Sequence, residues 1–260
     1  MSIKRTVNER IDRARNSNDE KELLKLSRDP SINVKGALIY GFRSSLPYSV
    51  WESICNNKDS RIIEEVSTSR RCPPELLDKM ARNNHNREIK LNVAHNISTP
   101  ISTLEYLSHD PDTQVINQLA WNDATPVSLL LQIYDKFGDN GRRGLAFRED
   151  MPKEIHIKLM NMKDEHITRA LLKNPTLESD ILYNFSIGKE VRTHHRRYIV
   201  KNPNTRIMTL INIYLHTKGK QLKKSIMERL NNIQDTNSRD INEEEQRMFI
   251  KFITEQLKKG

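Results

Sequence analysis

Apolar side chains recur along this chain with a period of about 26 residues. The marker of the period is a proline position held by Pro47, Pro73, Pro100, Pro126 and Pro152, spaced by 26, 27, 26 and 26 residues. The register runs on without proline at Glu178 and, after a two-residue insertion, at Arg206. Three and four residues past the marker come Val50/Trp51, Leu76/Leu77, Thr103/Leu104, Leu129/Leu130, Ile155/His156, Ile181/Leu182 and Thr209/Leu210. Seven past it come Ile54, Met80, Leu107, Ile133, Leu159, Phe185 and Ile213. Positions i, i+3/4 and i+7 form one stripe of a helix, so each marker predicts a helix with one buried face. His156 is the polar break, with Ile155 beside it to take its place.

A second apolar segment precedes each marker. Four residues before it stand Arg43, Ser69, Asn96, Asn122, Arg148, Asn174 and Asn202. Before these lie an apolar row (Tyr40, Val66, Val93, Leu119, Leu145, Leu171, Ile199) and a mostly small row (Gly41, Ser67, Ala94, Ala120, Ala146, Leu172, Val200). Asn tolerates the left-handed conformation that ends a helix. Thr99 and Thr125 offer hydroxyl caps to the next helix, and Pro100 and Pro126 suit its first position, where no N–H is needed. Asp29-Pro30 and Asp110-Pro111 are expected to start the second segments in the same manner. The small row allows layers to approach closely. Each unit is then a helix, a tight turn and a second short helix; it cannot bury its stripe alone, but stacked units share a core.

The best-preserved copy, N-x-x-T-P-x-x-x-L-x-x-L-S-x-D-P-x-x-x-V-x-x-x-L-A-x-N at Asn96–Asn122, resembles the leucine-rich repeat variant family. The resemblance is sharp over Asn83–Ile133 and degenerate but in register over Ile39–Ile213. It implies a right-handed α-solenoid that alternates α-helices with short, often 3-10, helices. Arg stands for Asn at Arg43 and Arg148, and Pro is lost at Glu178 and Arg206, so the second segments are expected to be fuller α-helices, nearer to HEAT-type pairs. The expected fold is all-α, with about seven two-helix repeats over residues 39–215. Residues 1–38 would form a helical lead-in and cap. Residues 216–260 would close the other end, with a basic helix over Gln221–Ile233 and a last helix capped by Asp240 and running from Ile241 to Lys259.

Composition agrees with a thin, layered protein. Hydrophobic residues make up 36% of the 260 and charged residues 30%, lean for one thick core but too apolar and periodic for disorder. No apolar run reaches the length of a membrane span, and the charged first twenty residues lack the apolar core of a secretory signal. Cys55 and Cys72 lack metal-ligand spacing and read as reduced thiols of a cytoplasmic protein.

Charge is concentrated. The net charge is +9, and residues 189–231 hold eleven Lys and Arg against two Glu. A local excess of this kind attracts polyanions. Equal positions in successive units form ladders, and two ladders make a ribbon: Phe42, Thr68, His95, Trp121, Phe147, Lys173, Lys201, and one turn earlier Leu38, Glu64, Leu91, Asn117, Arg143, Arg169, Arg197. The first half is aromatic and apolar. The second half is basic, thickened by Arg142, Arg192 and Arg196. Stacked like charges repel, so an anionic partner that relieves them is expected at Arg142, Arg143, Arg169, Lys173, Arg192, Arg196, Arg197 and Lys201, with Trp121 and Phe147 as anchors. The other reading of these aromatics is inter-layer core.

No catalytic or cofactor motif occurs: no P-loop, dinucleotide fingerprint, nucleophile elbow or H-E-x-x-H. His194 and His195 are neighbours, which do not face each other on a helix, so no metal site is expected there. The sequence thus describes a non-catalytic binding scaffold without cofactor or small-molecule substrate, engaging an acidic protein ahead of a nucleic acid. Two alternatives stand beside it. One is a DNA-binding protein related in architecture to the alkylpurine DNA glycosylases, with Trp121 and Asp123 in their aromatic and carboxylate roles. The other is an adaptor subunit of a larger assembly such as a phage particle.

Overall fold

A computed structural model describes residues 6–41, 45–57, 59–83, 86–188, 191–235 and 243–257. The described residues are all-helical, with no strand. They fall into two compact units, 1–144 and 145–260.

In the first unit the helices are α1 (Val7–Asn16), α2 (Glu20–Ser27), α3 (Ile32–Ile39), α4 (Tyr48–Cys55), α5 (Ser60–Thr68), α6 (Pro74–Asn83), α7 (Arg87–His95), α8 (Ile101–Leu107), α9 (Thr113–Ala120) and α10 (Val127–Gln132). A 3-10 turn (Tyr134–Lys136) leads into α11 (Asp139–Phe147), which contains the boundary. Helices α1, α3, α5, α7 and α9 pack in succession as one row; α2 packs on α4 and α6 on α8 in the other. The second unit holds α12 (Lys153–Asn161), α13 (Glu165–Lys173), α14 (Ser179–Ser186), α15 (Thr193–Lys201), α16 (Ile207–His216), α17 (Lys220–Asp235) and α18 (Glu243–Leu257). It repeats the scheme, with α13, α15 and α17 in one row and α14, α16 and α18 in the other. The second segments α5, α7, α9, α13 and α15 are α-helical over eight or nine residues, as their composition suggested.

The predicted stripe is the core. Every member named above is buried except Phe185, which is half-buried. His156 is fully buried rather than replaced by Ile155, and both face inward. Its Nδ1 lies 2.9 Å from a carboxylate oxygen of Glu178. Glu178 is the residue that stands where the marker proline is lost, at the N-cap of α14. The two departures from the pattern therefore answer each other: a buried imidazole needs a partner, and the absent proline supplies one.

The Asn positions work differently from the sequence expectation. Asn96, Asn174 and Asn202 have φ between −74° and −66° and ψ between 121° and 129°, an extended conformation and not a left-handed one. Among the described non-glycine residues only Lys163 has positive φ. The asparagines are fully buried and reach across to the preceding layer. The amide of Asn122 donates to Ala94 O (2.8 Å) and Asn96 O (2.9 Å), and that of Asn96 to Ser67 O and Ser69 O. In the second unit Asn174 donates to Ala146 O and Arg148 O, and Asn202 to Leu172 O and Asn174 O. Each Oδ1 accepts the N–H two residues on, at 2.9 Å. One side chain thus satisfies two orphan carbonyls at the end of the previous short helix and one loop N–H. These carbonyls belong to the small row and to the Asn row itself, which gives the small row a second reason to be closely approached.

Proline and threonine also differ in role. Pro47, Pro100, Pro126 and Pro152 are N-caps with ψ between 139° and 153°, one residue outside the helix. Thr99 lies further out and its hydroxyl turns back, donating to Val93 O (2.6 Å) at the end of the preceding helix; Thr205 does the same to Ile199 O. The side-chain caps belong to the second segments instead, at Asp59, Asn86, Asp112 and Asp164. Asp29 and Asp110 sit two residues before their helices' caps, each accepting the N–H two residues on.

One described arginine, Arg148, stands in the asparagine row, and two outside it, Arg71 and Arg229, reach backbone carbonyls. Arg148, buried, grips Asp150 with two bonds (2.8 and 2.6 Å). Arg71 donates to Gly41 O at 2.9 Å, one layer before the first Asn pair. From α17, Arg229 donates to Val200 O, and to Pro203 O and Thr205 O at 3.2 Å each. The C-terminal helices therefore meet the last orphan carbonyls, and Phe249 and Phe252 of α18 are buried, the latter against Tyr214. Met248, on the same helix, is exposed. Phe42, Arg43, Asp240, Ile241 and Lys258–Lys259 lie outside the described residues.

Asn122→Ala leaves two buried carbonyls and the Ala124 N–H unpaired and is expected to cost about 2–4 kcal/mol. Asn122→Asp is expected to be worse, because an ionised carboxylate would face two carbonyl oxygens. The exposed neighbour Asp123→Ala should be close to neutral. Urea denaturation of the three variants measures this, and an Asn122→Ala protein as stable as wild type would refute the ladder. Likewise Glu178→Pro, although it restores the repeat pattern at φ −65°, should destabilise by about 1–3 kcal/mol by stranding His156. Adding His156→Leu should recover most of that loss.

Candidate basic surface and the Glu165 cluster

In the second unit α13 and α15 lie side by side. Arg169 and Lys173 on the first, and Arg197 and Lys201 on the second, are all exposed. Each pair is four residues apart, which places both members on one helix face. None of the four makes a salt bridge among the described residues. Arg169 Nη2 lies 3.4 Å from His166 Nδ1, and Lys173 sits over the Tyr198 ring at 5.0 Å. Four cations thus stand on adjacent helices, unpaired with any carboxylate among the described residues.

The other basic residues of the expected ridge are engaged elsewhere. Arg192 is exposed but lies 3.5 Å from a Glu165 oxygen. Arg196 is half-buried, donates to His216 O (3.2 Å), and has its Nε buried without a partner. In the first unit Arg142 and Arg143 are half-buried, each with an unpartnered buried Nε; Arg142 reaches Asp139 only at 3.9 Å. Their stems are packing material as much as charge carriers. Trp121 is half-buried, its indole N–H donates to Asn140 O (3.1 Å), and Gly144 lies against the ring. The indole is therefore spent on holding α11. Phe147 is 47% exposed and Asp123 is exposed. Of the remaining ladder positions, Leu38 and Asn117 are buried, and Asn117 Oδ1 accepts the Gly138 N–H.

Periodicity gave no sign of a cluster at the head of the same two helices. Glu165, in the first turn of α13, faces both histidines at the start of α15. His194 Nε2 lies 2.7 Å from Glu165 Oε1, and His195 Nε2 lies 3.1 and 3.2 Å from its two oxygens. Adjacent residues were expected to diverge. They converge because their partner lies on the neighbouring helix, between the two ring directions, with the rings edge to face at 4.3 Å. His195 is buried and also touches Phe185, the one half-buried member of the core stripe. Burial pushes the His195 imidazole below its ordinary value, against the pull of Glu165. Partial burial pushes Glu165 up, but the hydrogen bonds to His194 and His195 prevail and hold it below the usual carboxylate range. The cluster opens on a groove of about 750 Å³, whose walls include Met160, Thr168, Asp180 and Phe185.

In the first unit the thiols of Cys55 and Cys72 meet, although their spacing carried no signal. Their hydrogen bond and burial push the Cys72 thiol upward, which keeps it protonated. Among the described residues no helix is long and apolar enough to cross a membrane. No family model matches the chain, and no curated protein matches it.

How α11 carries Arg142 and Arg143 depends on a close approach at Gly141. A Cβ there would lie 2.5 Å from Phe137 Cδ1 and 2.6 Å from Asn117 Oδ1. Gly141→Ala is therefore expected to destabilise by about 1–3 kcal/mol and to shift the fluorescence of Trp121. An unchanged melting curve and spectrum would show that α11 is not held by this contact.

Proposed function

We propose that the protein is a non-catalytic helical-repeat scaffold, a right-handed α-solenoid of the leucine-rich repeat variant type. In this reading it holds an anionic partner, an acidic protein surface ahead of nucleic acid, on the face shared by α13 and α15. The observation that carries the reading is the set of four exposed cations without counter-ions, Arg169, Lys173, Arg197 and Lys201. Like charges on neighbouring helices repel, and an anion bridging the rows relieves the repulsion while the rigid layers keep the spacing fixed. Arginine can take a carboxylate or a phosphate with two parallel bonds, and lysine adds charge without that geometry. Such a mixture favours contact with a charged surface or backbone over base reading. None of these four forms an ion pair among the described residues, whereas Arg142, Arg143 and Arg196 are partly committed to packing.

Arg169→Glu/Arg197→Glu is expected to abolish binding to acidic protein or polyglutamate while leaving the helical circular dichroism unchanged. If the partner is nucleic acid instead, affinity for single- and double-stranded oligonucleotides should fall steeply with salt. The slope of log K against log salt would be about −3 to −4, as four phosphate contacts imply, and about two units shallower in the double variant. Absence of binding to every polyanion at low salt would end the proposal.

A further inference from the structure

Two imidazoles and one carboxylate meet at the head of α13 and α15, and we propose that Glu165, His194 and His195 bind one divalent transition-metal ion of the zinc class. One ring nitrogen of each histidine and a Glu165 oxygen all lie within 4.8 Å of one another. Zinc holds such donors at about 2.0–2.2 Å in tetrahedral geometry, which separates them by about 3.4 Å. The separations from Glu165 to the two rings, 2.7 to 3.2 Å, need to open by about 0.2 to 0.7 Å to reach that spacing.

The donor types choose the ion. Neutral imidazole suits zinc, copper and nickel, while magnesium and calcium ask for oxygen ligands. With both rings neutral, the three donors carry one negative charge, which a divalent cation overcompensates without strain. Access is also provided for. His195 is buried, but His194 and Glu165 keep 43% and 42% of their side chains exposed. The fourth position opens on the groove lined by Thr168 and Phe185, where water or an exogenous ligand completes the shell.

A purely structural clamp between α13 and α15 would need one histidine. Here two imidazoles converge on one carboxylate, His194 Nε2 on Oε1 and His195 Nε2 on both oxygens, the donor set of a three-ligand metal site. Two contacts oppose the ion and limit its affinity. Arg192 stands 3.5 Å from Glu165, but its side chain is 69% exposed and free to swing into solvent. The Arg192 N–H points at His195 Nδ1 over 3.4 Å, which places the His195 proton on Nε2. Metal binding moves that proton to Nδ1 and gives up this long bond; the ring stays neutral and no proton is lost.

The test uses the full chain, stripped with a chelator and titrated with zinc chloride at pH 7.5 by calorimetry. One equivalent is expected to bind, and zinc or nickel, but not magnesium, should raise the melting temperature. His194→Ala and Glu165→Gln should each weaken zinc binding by about tenfold or more. His194 is half-exposed, so its variant should fold, and Glu165→Gln preserves the side-chain shape should it not. His166→Ala, on the outer face of α13, should bind as wild type does. Cys55→Ser/Cys72→Ser should also leave the stoichiometry at one. Absence of zinc binding, or binding that survives both His194→Ala and Glu165→Gln, would overturn the assignment.

Discussion

A buried side-chain amide that bridges two carbonyls of the preceding layer is the interaction on which this architecture rests. Short helices make it necessary. A helix of seven to ten residues leaves its last four carbonyls without an intrahelical partner, a large share of its backbone, and in a stacked layer several of them face protein rather than water. Asparagine meets the demand economically, with two donors for the layer behind and one acceptor for its own loop. The bridge also explains how the register survives the insertion before Arg206. Asn202 still meets the carbonyls of Leu172 and Asn174, now 30 and 28 residues back, where Asn174 meets partners 28 and 26 back. The extra residues are absorbed between contact points.

Different parts of this design were legible in the sequence to different degrees, and the reason is range. The core stripe is a property of one helix, so a period and a hydrophobicity pattern suffice; every position of the stripe is inside except Phe185, and of the apolar row before each marker only Tyr40 is exposed. The asparagine was read through its own backbone preference, which is local, whereas its function is a contact 26 or more residues away. A local reading cannot distinguish an Asn that bends the chain from one that ties two layers. The same blindness covers His194 and His195. Adjacent residues diverge on an isolated helix, but a carboxylate on the next helix can lie between them. His156 and Glu178 were each visible as departures, and their pairing was not.

Hydrogen-bond partners sort the arginines that charge alone could not. Arg71 and Arg229 reach backbone carbonyls of an earlier layer, as the amide does elsewhere, while Arg148 grips a local acid. The guanidinium is suited to the task, since its fork of donors can meet several carbonyls at once. Burial lowers the Arg229 pKa, yet guanidinium remains protonated, and three carbonyl dipoles stand in for a counter-ion. What remains of the basic excess, on α13 and α15, has no such employment.

The arrangement within one helix turn shows why the two duties do not interfere. In Leu171-Leu172-Lys173-Asn174 the first side chain fills the core, the second lends its carbonyl to the next layer, the third points to solvent, and the fourth ties back to the layer before. The sequence Ile199-Val200-Lys201-Asn202 repeats this order. Because the ladder uses backbone carbonyls at the second position and the amide at the fourth, the third is not needed for stacking. Thr68, His95, Phe147, Lys173 and Lys201 occupy it exposed, and only Trp121 among the described members is half-buried, against α11. A surface of variable chemistry is thus a by-product of the rule that holds the layers together, and selection for a partner can act on it without touching the core.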